Sequence, residues 1–163
     1  MSATRNIQHY QKEEALLTTE VDVIQAVAAI EAQVQPLDAW DEQAITELLS
    51  QDINKLLLVR QEKEVVGYCL YQQLFEQAEI FRIAIHPDYQ RQGIAAQLLE
   101  ELFAALTAQG GESLLLEVRA DNVAAIALYE RYGFAVIHRR KGYYQAANQP
   151  PMDALIMACD LNR

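Results

Sequence analysis

No run in this 163-residue sequence approaches the roughly 18 uncharged apolar residues that a membrane-spanning helix needs. The polar start, Met1 to Tyr10, also lacks the apolar core of a secretory leader, so the expectation is a cytoplasmic protein without a membrane partner. Cysteine is scarce: Cys69 and Cys159 lie in strand-like runs without CxxC spacing, and only three scattered histidines accompany them. Neither a metal site nor a disulfide framework is expected, and both thiols read as reduced core residues. Basic residues are outnumbered, 13 Lys and Arg against 23 Asp and Glu, for a net charge of -10. That excludes a general nucleic-acid binder, which needs a basic face to replace phosphate counterions. No repeat, low-complexity tract or Gly/Pro/Ser-rich linker divides the chain. With 52% hydrophobic residues it can close one sizeable core, so residues 1–163 are expected to form a single domain.

The charge is uneven, since nearly all of the acidic excess falls in residues 1–80 and the remainder is close to neutral. An acidic first half suits a basic partner and a near-neutral second half tolerates an anionic ligand, although acidity can also serve solubility alone. Thr19, with Asp22 three residues on, opens a helix carrying Val23, Val27, Ile30 and Val34 at helical spacing. A second helix is expected from Asp41 to about Leu49. Strands follow at Lys55 to Arg60, Glu64 to about Leu74 and Glu79 to Ile85. Next come a long amphipathic helix from about Gln92 to Ala108, stopped by Gly110-Gly111, and a strand from Ser113 to Arg119. A helix from about Asn122 to Tyr132 and strands at Phe134 to Arg139 and Ala154 to Leu161 complete the pattern, with Tyr143 to Pro151 read as loose. The strand–helix–strand unit from Ile80 to Val118 demands a parallel pair inside an otherwise antiparallel sheet. The fold class is therefore α/β, with a mixed, mostly antiparallel sheet and helices on both faces.

Between strand and long helix lies Gln90-Arg91-Gln92-Gly93-Ile94-Ala95. Unpaired N–H groups at a helix start hold a pyrophosphate well where side chains stay small, a demand that Gly93 and Ala95 meet, and Arg91 offers a charge-assisted contact. An ordinary turn containing glycine gives the same pattern. The segment lacks the Lys-Ser/Thr ending of a P-loop and the three glycines of a dinucleotide fingerprint.

Glu117 interrupts Leu114-Leu115-Leu116-Glu117-Val118, and alternation places it on the face opposite Leu116 and Val118. There it either pairs with Arg119 or acts as a general base at the strand's C-terminal end. Asn122, Ile126 and Tyr129 recur at helical spacing, so Tyr129 is either a core aromatic or a phenol beside the Asn122 amide. Acyl transfer to an amine needs two proton movements, and a carboxylate and a phenol can divide them.

Ile83 to Gly93, followed by Leu116-Glu117-Val118-Arg119-Ala120-Asp121-Asn122 through Tyr129 to Phe134, resembles the RimI family of ribosomal-protein alanine N-acetyltransferases within the GNAT superfamily. The likeness runs from about Glu79 to Tyr144, continues at Asp153 to Ala158, and thins earlier. It implies a GNAT fold whose parallel strands splay, with acetyl-CoA along Ile83, Ala84 and Ile85. Its pyrophosphate would lie on Arg91, Gln92, Gly93, Ile94, Ala95 and Ala96, and its pantetheine arm near Asn122. Glu117 stands where the family has its proton acceptor and Tyr129 where it has its proton donor, while Tyr143 and Tyr144 match an aromatic pair that walls the acceptor channel. The implied acceptor is a protein N-terminus, that of a basic ribosomal protein. Three features depart from the pattern: Ala95 in place of a glycine, Arg82 in place of a small or polar residue, and Asp38-Ala39-Trp40 at the second helix. A small amine or lysine as acceptor, and a non-catalytic acetyl-CoA sensor, are the rival readings.

Overall fold

Alternating and helical apolar spacings resolve into seven strands and four helices in a computed structural model that describes residues 4–11 and 20–162. In chain order these are β1 (Arg5–His9), α1 (Glu20–Val34), α2 (Glu42–Leu49), β2 (Asn54–Gln61), β3 (Glu64–Leu74), β4 (Gln77–Ile85), α3 (Ile94–Ala108), β5 (Ser113–Arg119), α4 (Val123–Arg131), β6 (Ala135–Tyr144) and β7 (Met152–Asp160). The strands form one sheet in the order β1-β2-β3-β4-β5-β7-β6. The β4–β5 pair is parallel, as the crossover through α3 requires, while β1–β2, β2–β3, β5–β7 and β6–β7 are antiparallel.

Most boundaries follow the sequence pattern, and the departures have physical causes. β1 carries mainly polar residues and gives no apolar alternation; it is a short edge strand held by its ladder to β2, Arg5 opposite Gln61 through His9 opposite Leu57. α3 begins at Ile94, two residues later than expected, because Arg91 and Gly93 adopt φ of 63° and 77°, outside helical geometry. β6 extends to Tyr144, so Tyr143 and Tyr144 belong to a strand and not to the loose segment. The Thr19 helix cap lies outside the described residues. Asp41 does cap α2, its carboxylate accepting from the Ala44 N–H at 2.8 Å.

The chain divides into two compact units. The first comprises the described residues of Met1–Gln72 with Arg82–Leu102. Four successive β2 residues, Leu56 to Val59, are almost wholly buried there, which requires cover on both faces of the strand. Val27, Ile30 and Ile45 from α1 and α2, and Leu98, Leu99 and Leu102 from α3, are equally inaccessible. Each such side chain contributes about 1.5–3 kcal/mol of transfer free energy.

The second unit comprises Gln73–Phe81 and the described residues of Phe103–Arg163. Here burial in β5 alternates strictly: Leu114, Leu116 and Val118 are buried, while Ser113, Leu115, Glu117 and Arg119 are partly accessible. The β5–β7 register puts Leu116 beside Met157 and Val118 beside Leu155 on the covered face. The C-terminal end of α4 lies on that face too, because Cys159 Sγ is 3.4 Å from the Tyr132 carbonyl. Phe103, Tyr129, Tyr132 and Phe134 join in edge-on and tilted ring contacts. Glu117 therefore occupies the opposite, less covered face.

Candidate active site

In the first unit, β4 ends in Ile83, Ala84 and Ile85 and leads through a short turn into α3. His86 caps that turn, its Nδ1 accepting from the Asp88 N–H at 3.1 Å. The Gln90 amide donates to the Ile85 carbonyl at 3.2 Å and steadies the following loop. Arg91 and Gly93 have positive φ on either side of Gln92, an alternation that turns neighbouring N–H groups toward a common side and suits an anion. A Cβ on Gly93 would meet nothing within 4 Å, so glycine is needed there for its backbone freedom. The first α3 bond runs from Gln97 N–H to the Gly93 carbonyl at 3.1 Å, so the N–H groups of Ile94 and Ala95 lie ahead of the helical ladder. Ile94 is buried and anchors the helix start, Ala95 and Ala96 are partly accessible, and Arg91 and Gln92 are exposed.

Two residues that the sequence did not single out shape this segment. Arg5 of β1 donates to the Gln92 carbonyl at 3.1 Å and to its side-chain oxygen, bringing a second cation to the turn. Gly67 of β3 lies against β4: a Cβ there would be 2.8 Å from Ile85 Cδ1 and 3.3 Å from the Ala84 carbonyl oxygen.

Arg82, the residue before Ile83, is the centre of a buried polar network. Glu31 of α1 is completely inaccessible and accepts from the Trp40 N–H at 3.1 Å and from the Tyr68 hydroxyl. Arg82 Nε lies 3.5 Å from Glu31, close enough for charge pairing but not aligned for a hydrogen bond, and is buried without one. Its Nη2 donates to the Asp38 carbonyl at 3.0 Å and to its carboxylate at 3.1 Å, and the guanidinium stacks 4.7 Å from the Trp40 ring centre. Burial, followed by the Glu31 charge, drives the Tyr68 phenol well above its usual ionisation range.

In the second unit, Glu117 Oε1 accepts from the Tyr144 hydroxyl at 3.0 Å and Oε2 lies 3.5 Å from Arg140 Nη1. Arg119, the partner considered from sequence, pairs with Asp121 at 3.1 Å and stacks over the Tyr144 ring at 5.3 Å. Glu79 occupies the same face through the register Glu79 opposite Leu115, one same-face position before Glu117. Burial and then the Glu117 charge raise the Glu79 carboxyl above the ordinary range, with Arg140 acting against them. The β4–β5 ladder consists of four residue pairs and ends at Ile80 opposite Leu116, immediately before Glu117.

Tyr129 is 7% exposed and its ring meets Phe134 edge-on at 5.6 Å, so it approaches from the covered face. Asn122 caps α4, its side-chain oxygen accepting from the Ala125 N–H at 3.2 Å, and stays exposed. The helical spacing thus relates an exposed cap to a buried phenol and does not give two groups equally open to solvent. Among the described residues, no group of three or more His, Cys, Asp or Glu side chains is placed to hold a metal ion.

The sequence pattern of the acetyltransferase (GNAT) family matches residues 22–134, more than half of the chain. The chain belongs to the GNAT acetyltransferase family. Like other GNAT enzymes, it is an N-acetyltransferase with acetyl-CoA as co-substrate. Among similar proteins, the [ribosomal protein bS18]-alanine N-acetyltransferase of Escherichia coli K12 is 42% identical over 102 residues, covering 63% of this chain and 68% of that protein. The N-alpha-acetyltransferase RimI of Mycobacterium tuberculosis is 36% identical over 129 residues, covering 76% and 79%. The crystal structure of the ribosomal-protein-S18-alanine N-acetyltransferase from Escherichia coli superposes with a TM-score of 0.84 at 31% identity, over 98% of this chain and 96% of that one. A GNAT acetyltransferase from Elizabethkingia anophelis, solved with acetyl-CoA bound, shares the fold with a TM-score of 0.73 at 19% identity over 96% and 97%. The chain is thus a RimI-like member of its family.

Proposed function

We propose that the chain transfers the acetyl group of acetyl-CoA to the N-terminal α-amine of a protein, the N-terminal alanine of a basic ribosomal protein, in the cytoplasm. The observation that carries this reading is Glu117, a carboxylate fixed at both oxygens on the less covered face of its sheet. The names of the relatives, alanine and α-amine acetyltransferases, favour the same acceptor class. An α-amine ionises at about 7.7–8.0 and lysine at about 10.4, so readying lysine for attack costs about 3–4 kcal/mol more. One glutamate is a sufficient base for the α-amine.

In this reading the backbone of Ile83, Ala84 and Ile85 pairs with the pantetheine amides. Arg91, Gln92, Gly93, Ile94, Ala95 and Ala96 receive the pyrophosphate, and Asn122 borders the pantetheine arm. The amine nitrogen bonds to the thioester carbonyl carbon as its proton passes to Glu117. The carbon–sulfur bond then breaks, and Tyr129 protonates the departing thiolate.

Thiol release from acetyl-CoA with peptides beginning Ala, Ser, Met or Gly tests the assignment, with wild type compared to Glu117→Gln and Tyr129→Phe. Turnover of Ala-starting peptides, with each substitution lowering kcat at least about tenfold, is the expected result. Acetylation only of lysine in N-terminally blocked peptides, or of small amines, would transfer the assignment to those acceptors. Acetyl-CoA left intact with every amine would point to a sensor.

A further inference from the structure

The Glu117 carboxylate is held by groups that its role as proton acceptor does not by itself require. Tyr144 donates to one oxygen and Arg140 faces the other, so the carboxylate plane is fixed at both ends. These two partners are themselves braced. Tyr143 and Tyr144 meet edge-on at 5.3 Å, the Arg140 guanidinium stacks 5.1 Å from the Tyr143 ring, and that of Arg119 stacks over Tyr144. Asp153 ties down the same stretch of β6, accepting from Arg139 Nε at 2.6 Å and from the Gly142 N–H at 2.9 Å. On the other side, the four-pair ladder with β4 brings one more carboxylate, Glu79, to the same face.

Resting on the reading of Glu117 as the base, we propose that Tyr144, Arg140 and Glu79 are positioning residues that set the pH at which Glu117 accepts the acceptor's proton. Tyr144 and Arg140 favour the ionised carboxylate and Glu79 opposes them. A hydrogen-bond donor and a cation both stabilise negative charge, while a like charge nearby destabilises it. Burial first and the Glu117 charge second raise the Glu79 carboxyl above its ordinary range, the direction that repulsion between the two glutamates gives. The remaining charges around Glu117 form pairs of their own, Arg119 with Asp121 and Arg139 with Asp153, while His138 and Lys141 are exposed on β6. The three residues therefore pull in opposite directions on one carboxylate, which a merely structural role would not do.

The pH dependence of kcat/KM for thiol release tests this, using the Ala-starting peptide or whichever amine the wild type acetylates. Ionisation of the acceptor itself, near about 8 for an α-amine, is common to all variants and serves as an internal reference. Below it, the break belonging to the enzyme's base is expected to move up by about 0.3–0.7 pH unit in Arg140→Gln and Tyr144→Phe, the size for partly exposed partners. In Glu79→Gln it is expected to move down by a similar amount. Shifts of one sign in all three variants, or none, overturn the proposal. Glu117→Gln separates the two levels. Loss of activity there with no opposed shifts refutes this inference alone, whereas wild-type activity and profile refute the base assignment and the inference with it.

Discussion

Replacing Arg82 with methionine would leave Glu31, which has no accessible surface, without its cation. Removing one member of a buried ion pair typically costs about 3–5 kcal/mol, because the other charge stays desolvated. Two features place this case at the lower end. Glu31 keeps two donors, the Tyr68 hydroxyl and the Trp40 N–H, and the Arg82 side chain retains 15% exposure. Loss of the stacking on Trp40 adds about 0.5–1 kcal/mol, which the methionine stem partly offsets by filling the same space. The expected destabilisation is about 3 kcal/mol, or about 6–12 °C in Tm for a chain of this size. Urea titration followed by fluorescence is well suited to the measurement, since Trp40 is the single tryptophan and touches the altered site. The double variant Glu31→Gln with Arg82→Met should recover most of the loss, since no charge is then stranded and the amide oxygen can still accept from the Tyr68 hydroxyl. An Arg82→Met variant within about 0.5 kcal/mol of wild type, or a double variant costing the sum of the singles, would refute the reasoning.

Gly67→Ala should raise the KM for acetyl-CoA, because the added methyl, 3.3 Å from the Ala84 carbonyl oxygen and 2.8 Å from Ile85 Cδ1, crowds the end of β4; an unchanged KM would count against Ile83–Ile85 as the pantetheine strand. Cys69 has no accessible surface and burial raises its thiol, so iodoacetamide at pH 8 should modify it only after unfolding, as peptide mass mapping would reveal. Glu79 ionises at higher pH in the folded chain than in the unfolded one, so the folded state binds more protons between the two values. Its contribution to stability is consequently present at low pH and lost as pH rises from about 4.5 through the folded value. Glu79→Gln should remove that decline, and a wild-type slope in the variant's urea midpoints against pH would contradict it.

Elements with strong period or clear punctuation were legible in sequence. β5 was bounded correctly because Leu114, Leu116 and Val118 alternate with Leu115 and Glu117, and the start of α2 because Asp41 is a good cap. β1 was missed because its stability comes from a ladder to a distant strand, which polar residues support as well as apolar ones. The candidate site was partly legible. Short-range order exposed the turn at Arg91–Gly93 and the orientation of Glu117, since both follow from local geometry. The placement of Glu79 and Arg140 beside Glu117 and of Arg5 beside Gln92 depends on strand register and long-range pairing, for which neighbouring residues carry no signal. Arg82 was noticed only as a departure from a family pattern; the buried acid that accounts for it lies 51 residues earlier in the chain.

Among the described residues β6 ends the strand order and pairs with β7 on one side only, and it displays Val136 and Ile137 at 48% and 60% exposure. Such a border invites a second copy to add its own strand and propagate into aggregates. Arg139, Arg140 and Lys141 occupy the middle of the same border, and two copies meeting there antiparallel would oppose cation to cation. Arg140, which braces the Glu117 carboxylate, is thus also one of the charges that discourage such pairing, and neutralising the cations of this border together would exchange solubility for self-association.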